Sequence, residues 1–511
     1  RDMRHETGDQ RQKNGIAVFN SLVSSLLSPV SFLLLGFLVS GLLSPVCVLA
    51  EPRAARAAGA FYPDDPAVLR ATVEQLLARH ADTPASSSKP RVLISPHAGY
   101  PYSGPVAARA FHEVQGRSYD GVVVVGFTHR LNFEGTSVET RDAYRTPLVI
   151  IPVDTEAAAF LQAQPGIAHV EEAHEADEHS MEVMLPFLQV ALGEFRVVPM
   201  LMGRHNFSDA EQLAAALAHL AQRGDYLFVF STDLSHYHPY DEAKRLDEQT
   251  VALILRETAG AVDRLFSQEH LEACGRGPVV AGLLLAQRLG YLERRLLLYE
   301  NSGDTTGDTN RGVVGYAAVG MYPPKTDASM QTLSAAAGAA LVRAAREAIT
   351  AAVHPAASTG TVSLEAFPEL QEPRGIFVTL RKHGELRGCI GRIETDEPLA
   401  QLLPTVAIDA ALADARFLPV TAEELDDVTI EVSILSPPTP ASFQGIVAGR
   451  DGVVLRKDGH SGVFLPQVWH ETGWTRLEFL RELAHQKAGL PPDAWQSAQL
   501  LTFQDHIFEE H

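Results

Sequence analysis

Imidazole, thiol and carboxylate groups recur where this sequence passes from an apolar run into a polar turn. His97 follows Val92-Leu93-Ile94, and His129 follows the four valines between Gly121 and Gly126. Asp233, His236 and His238 follow the run from Asp225 to Phe230, and Cys274 precedes Gly275-Arg-Gly-Pro278 and the apolar segment Val279 to Leu289. Neutral imidazole and thiolate are both good transition-metal ligands, so His97, His129 and Cys274 could converge on one ion. Each has an ordinary alternative. His97 could serve as a catalytic base or be satisfied within its turn, His129 could belong to a polar loop, and Cys274 could be a small buried residue. His236 is a candidate proton donor or acceptor, because Asp233 and His238 are close enough in sequence to orient it or share its proton. His179, lying between Glu178 and Glu182, reads as the acidic start of a helix.

These groups need a scaffold that brings distant segments together. Val92 to Ile94, the valine run, Phe195 to Leu201 and Asp225 to Phe230 read as strands buried on both faces. Between them the periodicity predicts helices over Pro66 to His80 (apolar side Val68, Leu69, Val73, Leu76 and Leu77), from Val106 with Pro105 in its first turn, and over Ala210 to Arg223. Further helices are expected over Tyr240 to Glu257, Ala261 to Ala273 and Val279 to Leu289, while Asn301 to Arg311 reads as a polar loop and Gly312 to Met321 as a last strand. Alternating strands and helices indicate an α/β fold with a central, mostly parallel sheet. In such sheets ligands bind outside the carboxyl ends of the strands, where His97, His129 and His236 stand.

Pro323 to Met330 reads as a linker. Beyond Leu333 the pattern changes: Arg374 to Arg381 alternates like a half-buried strand, His383-Gly384 is a hairpin turn, and Leu386 to Gly391 returns. This half is expected to be a separate α+β domain with antiparallel pairs. A length of 511 residues fits two or three domains. The formal net charge of -21 argues against general nucleic-acid binding, which relies on Lys and Arg. The three cysteines, Cys47, Cys274 and Cys389, are too far apart in sequence to suggest a disulfide framework or a Cys-x-x-Cys knuckle.

Residues 1–51 stand apart. Arg1 to Asn14 is polar, and no charged residue occurs from Ile16 to Ala50, a run long enough for a membrane helix of about 20 residues. Two readings follow: an anchor or export signal, which makes the protein membrane-anchored or exported, or a start assigned too far upstream, which leaves it cytoplasmic.

Six segments in series carry a resemblance: Ala58 to Pro63, Ser95 to Gly104, Gly126 to His129, Asp177 to Ser180, Ser231 to His236 and Cys274 to Pro278. Over residues 52–322 the chain resembles the Memo family. The resemblance implies a fold like that of the class III extradiol dioxygenases, which hold Fe(II) with two histidines and one glutamate. Carried over, His97, His129 and Cys274 are the metal ligands, His236 the acid/base histidine, and Asp233 its neighbour. A thiolate then stands where the dioxygenases have a carboxylate. Iron is favoured, and copper or zinc is compatible with sulfur. Residues 333–511, with Leu386-Arg-Gly-Cys-Ile-Gly391 intact, resemble the AMMECR family, and residues 323–332 are the linker. Together the halves look like a fusion of the B and A proteins of the AmmeMemoRadiSam system, which implies a separate radical-SAM partner.

Three functions are therefore expected in competition. The first is a metal-dependent redox enzyme, or an accessory to a radical-SAM protein. The second is a non-catalytic binding module whose pocket, ringed by Phe61, Tyr62, Tyr100 and Tyr102, takes a peptide or partner protein. The third is a hydrolase using Cys274 or Cys389 as nucleophile with a histidine base.

Overall fold

The computed structural model describes residues 51–268, 271–323, 333–357, 360 and 362–510. The expectations for residues 1–50 and for linker residues 324–332 lie outside the described residues. Among the described residues no helix is long and apolar enough to cross a membrane.

The N-terminal half is built on one large sheet. Its strands are β1 (Val92–Ser95), β2 (Gly121–Phe127), β3 (Thr136–Val138), β6 (Ile167–Ala168), β7 (Val197–Met202), β8 (Tyr226–Ser231), β9 (His236–His238), β10 (Glu293–Asn301) and β11 (Val313–Tyr322); β4 (Ala143–Arg145) and β5 (Ile150–Pro152) form a separate hairpin. The order is β10-β11-β1-β8-β2-β7-β3-β6, with β9 on β11. The middle four, β1, β8, β2 and β7, run parallel, so their carboxyl ends open on one edge. The valines of β2 show why that run is apolar throughout. Val123 and Val125 pack into the core on one face, with the helices Phe207–Ala221 and Arg276–Arg288, while Val122 and Val124 face the other core, with Pro66–Ala78 and Tyr100–His112.

Several details depart from expectation. The helix after β1 starts at Tyr100, with Pro101 in its first turn and Pro105 in its interior. An interior proline is tolerable here because the missing N–H would have bonded the carbonyl of Pro101, a residue open to solvent. Val68, assigned to the apolar side of the first helix, is 54% exposed. The stretch expected as a polar loop contains a helix, Ser302–Thr306, because Asn301 and Asp304 satisfy each other's backbone N–H groups in a capping box. The last strand, β11, is antiparallel to β1 and pairs with β10, which the sequence pattern does not reveal.

The C-terminal half is β-rich and antiparallel, as expected. β12 (Ile376–Lys382), β13 (Glu385–Arg392), β14 (Val428–Leu435) and β19 (Asp505–Glu509) form one sheet; β15 (Thr439–Ala441), β16 (Gly452–Lys457), β17 (His460–Phe464) and β18 (Gln499–Phe503) form a second. Positive φ angles at His383 (53°) and Gly384 (87°) make the two-residue turn between β12 and β13.

A buried carboxylate fixes the N-terminal segment against this frame. Glu182 accepts hydrogen bonds from the backbone of Arg56 (2.9 Å) and Ala57 (2.7 Å), the Tyr62 hydroxyl (2.6 Å) and the Arg53 guanidinium (2.9 Å). Both charged side chains are fully buried. Glu182→Ala leaves Arg53 buried and unpaired, so it should destabilise the N-terminal half by about 3–5 kcal/mol, read as a lower urea midpoint. Glu182→Gln should cost less, since it keeps part of the bonding.

Candidate metal centre

Three imidazoles meet at the carboxyl edge of the parallel strands. His97 lies two residues beyond β1 and is 1% exposed. Its Nδ1 is 2.6 Å from Ser231 Oγ at the end of β8, the strand paired with β1. Ser231 donates its own proton to the Ser180 carbonyl, so His97 Nδ1–H is the donor and Nε2 keeps its lone pair. That Nε2 lies 3.3 Å from Cys274 Sγ.

His129 lies two residues beyond β2. Its backbone N–H (2.6 Å) and its Nδ1 (3.0 Å) both reach the carboxylate of Glu178, which again leaves Nε2 as the free nitrogen. The same carboxylate accepts the backbone N–H groups of His179 (2.9 Å) and Ser180 (2.8 Å). This corrects the expectation for His179. Glu178 and His179 do not open a helix; they form a loop pinned to the end of β2, with Ser180 Oγ donating to Phe127 O at 2.7 Å. Gly126 permits that approach, because a Cβ there would meet Ser180 Oγ at 2.5 Å. The His179 ring stacks on His129 (centroids 4.7 Å apart) and on Phe61 (4.0 Å), and lies 5.5 Å from His97.

Two sets of donor atoms lie within 4.8 Å of one another among the described residues: His97, His129 and His179, and His97, Asp233 and Cys274. The expected trio His97, His129 and Cys274 is thus split between them, with His97 common to both. Cys274 is held by Asp233, whose N–H points at Sγ (3.2 Å) and whose carbonyl accepts the Cys274 N–H (3.2 Å). Only glycine fits next: a Cβ on Gly275 would meet the Ser231 carbonyl at 2.0 Å.

The proton-handling groups are arranged differently from expectation. Asp233 accepts the His97 backbone N–H at 2.8 Å. His236 Nδ1 bonds the Leu234 carbonyl (2.7 Å), leaving Nε2 free. His238 contributes indirectly: it bonds Glu272 at 2.8 Å, and Glu272 accepts the His236 N–H at 3.0 Å. His97, His129, His179, Asp233 and His236 line one cavity of about 700 Å³. Of the four aromatics expected at its mouth, Tyr102 is exposed and Phe61 half-buried, but Tyr62 and Tyr100 are buried, their hydroxyls bound to Glu182 and to the Val183 carbonyl.

The electrostatics suit a cation. Burial lowers His97 to about 3 and His179 to about 4, so both are neutral ligands at neutral pH. Burial opposes the charged form of Glu178, but the bonds from His129 and Ser180 outweigh it and hold that carboxyl at about 2. Burial raises Asp233 to about 6, against the pull of its bond from His97. Burial and the Asp233 charge push the Cys274 thiol far up, and a coordinated metal ion is the group that would offset this, since it deprotonates a bound thiol outright.

Cys389 sits elsewhere, on the wall of a cavity of about 490 Å³ in the C-terminal half. Its Sγ accepts from Thr379 Oγ1 at 3.3 Å, no histidine among the described residues lines that cavity, and burial raises the thiol. The hydrolase reading gains no base there.

Comparisons with known proteins agree with this division. The family described as Memo-like protein matches residues 53–320, and AMMECR1 matches residues 342–508. A MEMO1 family protein of Methanopyrus kandleri is 35% identical over 278 residues, covering 52% of this chain and 98% of the relative. Another, of Methanothermobacter thermautotrophicus, is 37% identical over 268 residues, covering 51% and 96%. An uncharacterized protein of Pyrococcus horikoshii, known from a crystal structure, is 38% identical and covers 35% of this chain and 94% of its own, with a TM-score of 0.33.

His97 and His179 titrate below the ordinary 6.5, so the metal-free native state binds fewer protons than the unfolded chain below that pH. Their contribution to stability is complete above pH 6.5 and is lost as pH falls through about 4 for His179 and about 3 for His97. Asp233 acts oppositely: its contribution is present below the ordinary carboxylate range and is lost as pH rises through about 6. In EDTA, His179→Gln should therefore lose less stability than wild type between pH 6.5 and 4, by on the order of 1 kcal/mol in urea titrations. Identical pH dependence in the two proteins would exclude a neutral His179.

Proposed function

The chain belongs to the Memo-like family over residues 53–320 and carries an AMMECR1 domain over residues 342–508; from that premise we propose that its N-terminal half is a mononuclear, dioxygenase-like iron centre, acting as a redox enzyme or as an accessory to a radical-SAM partner. The observation that carries this reading is the anchoring of His97 and His129. Each ring spends Nδ1 on a protein acceptor, Ser231 or Glu178, and keeps Nε2 for the pocket, which is how metal-binding histidines are oriented.

His97 and His129 hold the ion in this reading, and Cys274 supplies the third protein donor next to His97. When bound, iron contributes Lewis acidity and one-electron chemistry. His236, its ring fixed through Nδ1, takes or gives a proton at Nε2 on the cavity wall, and Asp233 secures the His97 backbone. Phe61 backs the imidazole stack and restricts water on that side. Sulfur in place of a carboxylate changes the metal's redox behaviour, so catechol ring cleavage does not follow from the family. With three cysteines and no Cys-x3-Cys-x2-Cys spacing in the sequence, radical chemistry would come from a separate protein.

Metal analysis tests the reading. Anaerobically purified protein should carry about one iron per chain, and His97→Ala should remove it. His236→Ala should leave the metal content unchanged. Substitution of cobalt(II) should give a sulfur-to-cobalt charge-transfer band that Cys274→Ser abolishes. A band absent from wild type and a metal lost on His179→Ala would transfer the third ligand to His179.

A further inference from the structure

The two halves touch on the stretch that leads into the metal-site loop. Glu257, buried between the helix Tyr240–Arg256 and the helix Ala259–Gln268, accepts Nε (2.7 Å) and the backbone N–H (2.9 Å) of Arg476 from the C-terminal half. Arg476 also donates to the Phe443 carbonyl (3.2 Å), with its guanidinium 4.8 Å from the Phe443 ring centre. Beside it, the Ala448 N–H bonds the Arg256 carbonyl at 2.9 Å. Arg264 donates to the Gly473 carbonyl (2.6 Å) at the end of the helix Gln467–Thr472 and reaches Glu478 at 3.2 Å. The seat thus fits a partner that presents one guanidinium and one helix-terminal carbonyl, whose remaining acceptor capacity a cation satisfies.

The neighbouring residue faces the other way. Asp263 Oδ1 accepts from Arg276 Nη2 (3.0 Å) and from His205 Nε2 (2.7 Å), and the Asp263 carbonyl takes a second bond from Arg276 Nη2 at 2.6 Å. Arg276 is the first residue of the helix Arg276–Arg288 and stands two positions after Cys274. Consecutive residues of one ten-residue helix therefore hold the C-terminal half, through Arg264, and the start of the helix that follows Cys274, through Asp263. A helix this short has little stability of its own and takes its position from what it packs against. The relatives from Methanopyrus kandleri and Methanothermobacter thermautotrophicus match about half of this chain over nearly their whole length, so the seat lies on a unit that occurs without this C-terminal half in the same chain.

We propose that the C-terminal half is a built-in docking partner that fixes the position of Cys274: its seat on Glu257 and Arg264 holds the helix Ala259–Gln268, and Asp263, a positioning residue, passes that constraint to Arg276. The consequence for metal binding rests on the reading that Cys274 is a ligand; the positional claim does not.

The test uses the full-length, metal-free chain and measures alkylation of each cysteine by iodoacetamide with peptide mass spectrometry. Cys389, in the C-terminal half, is the internal reference. Arg264→Ala, Arg476→Gln and Asp263→Asn should each raise the Cys274 rate about tenfold, the factor expected for losing one charge-assisted hydrogen bond. Cys389 should not change, and Arg264→Lys should restore most of the protection. An unchanged Cys274 rate in a variant whose halves separate by small-angle scattering would overturn the proposal, and so would equal increases at both cysteines. Zinc affinity of the same variants separates the two claims: faster Cys274 alkylation with undiminished affinity supports the docking role and removes Cys274 from the ligand set.

Discussion

One carboxylate holds the pocket together. Glu178 binds His129 twice, caps the backbone of His179 and Ser180, and is almost fully buried. Without it, two imidazoles from segments far apart in sequence would have no common reference, and the His179 ring would not stack on His129. Four hydrogen bonds offset the cost of burying its charge, which is why its carboxyl stays ionised well below the ordinary range. The arrangement also fixes a tautomer: a ring whose Nδ1–H is committed to an anion can only offer Nε2 to the cavity.

The parallel sheet supplies the second constraint. β1 and β8 are paired so that Ser95 lies opposite Ser231, and this register sets Ser231 Oγ under the His97 ring. A slip of one residue would turn Ser231 to the other face of the sheet and leave His97 without its acceptor. The orientation of the His97 ring is therefore written into strand pairing.

The strand mouths are legible because an unbroken apolar run is a strand buried on both faces, and the first polar residues after it must stand at the sheet edge. His97 and His129 stand out on that pattern, whereas Cys274 stands before a helix; His97 lies against Cys274, but His129 and Cys274 fall in different donor sets. His179 does not stand out, because with Glu178 and Glu182 it reads as the acidic start of a helix, and charge in a sequence does not say which carboxylates are buried. The Asp177 to Ser180 motif is the signal available, and it points to the family without assigning a role. Strand β10 is hidden for a different reason, although its partner β11 is legible as Gly312 to Met321. β10 begins Glu293-Arg-Arg and is half-buried along its length, so its pattern matches neither a core strand nor a clean alternation.

The donors divide into a nitrogen set and a mixed set that share His97. His97 can share an ion with two further imidazoles or with sulfur and carboxylate, and the two sides differ in softness. The thiol side is costly when empty of charge, because a buried sulfur next to Asp233 resists ionisation. His97 and His179 carry no such cost, since burial already keeps their rings neutral. Were His97 and Cys274 to hold an ion, its charge would offset the cost of ionising the thiol, and Asp233 lies close enough to take the proton.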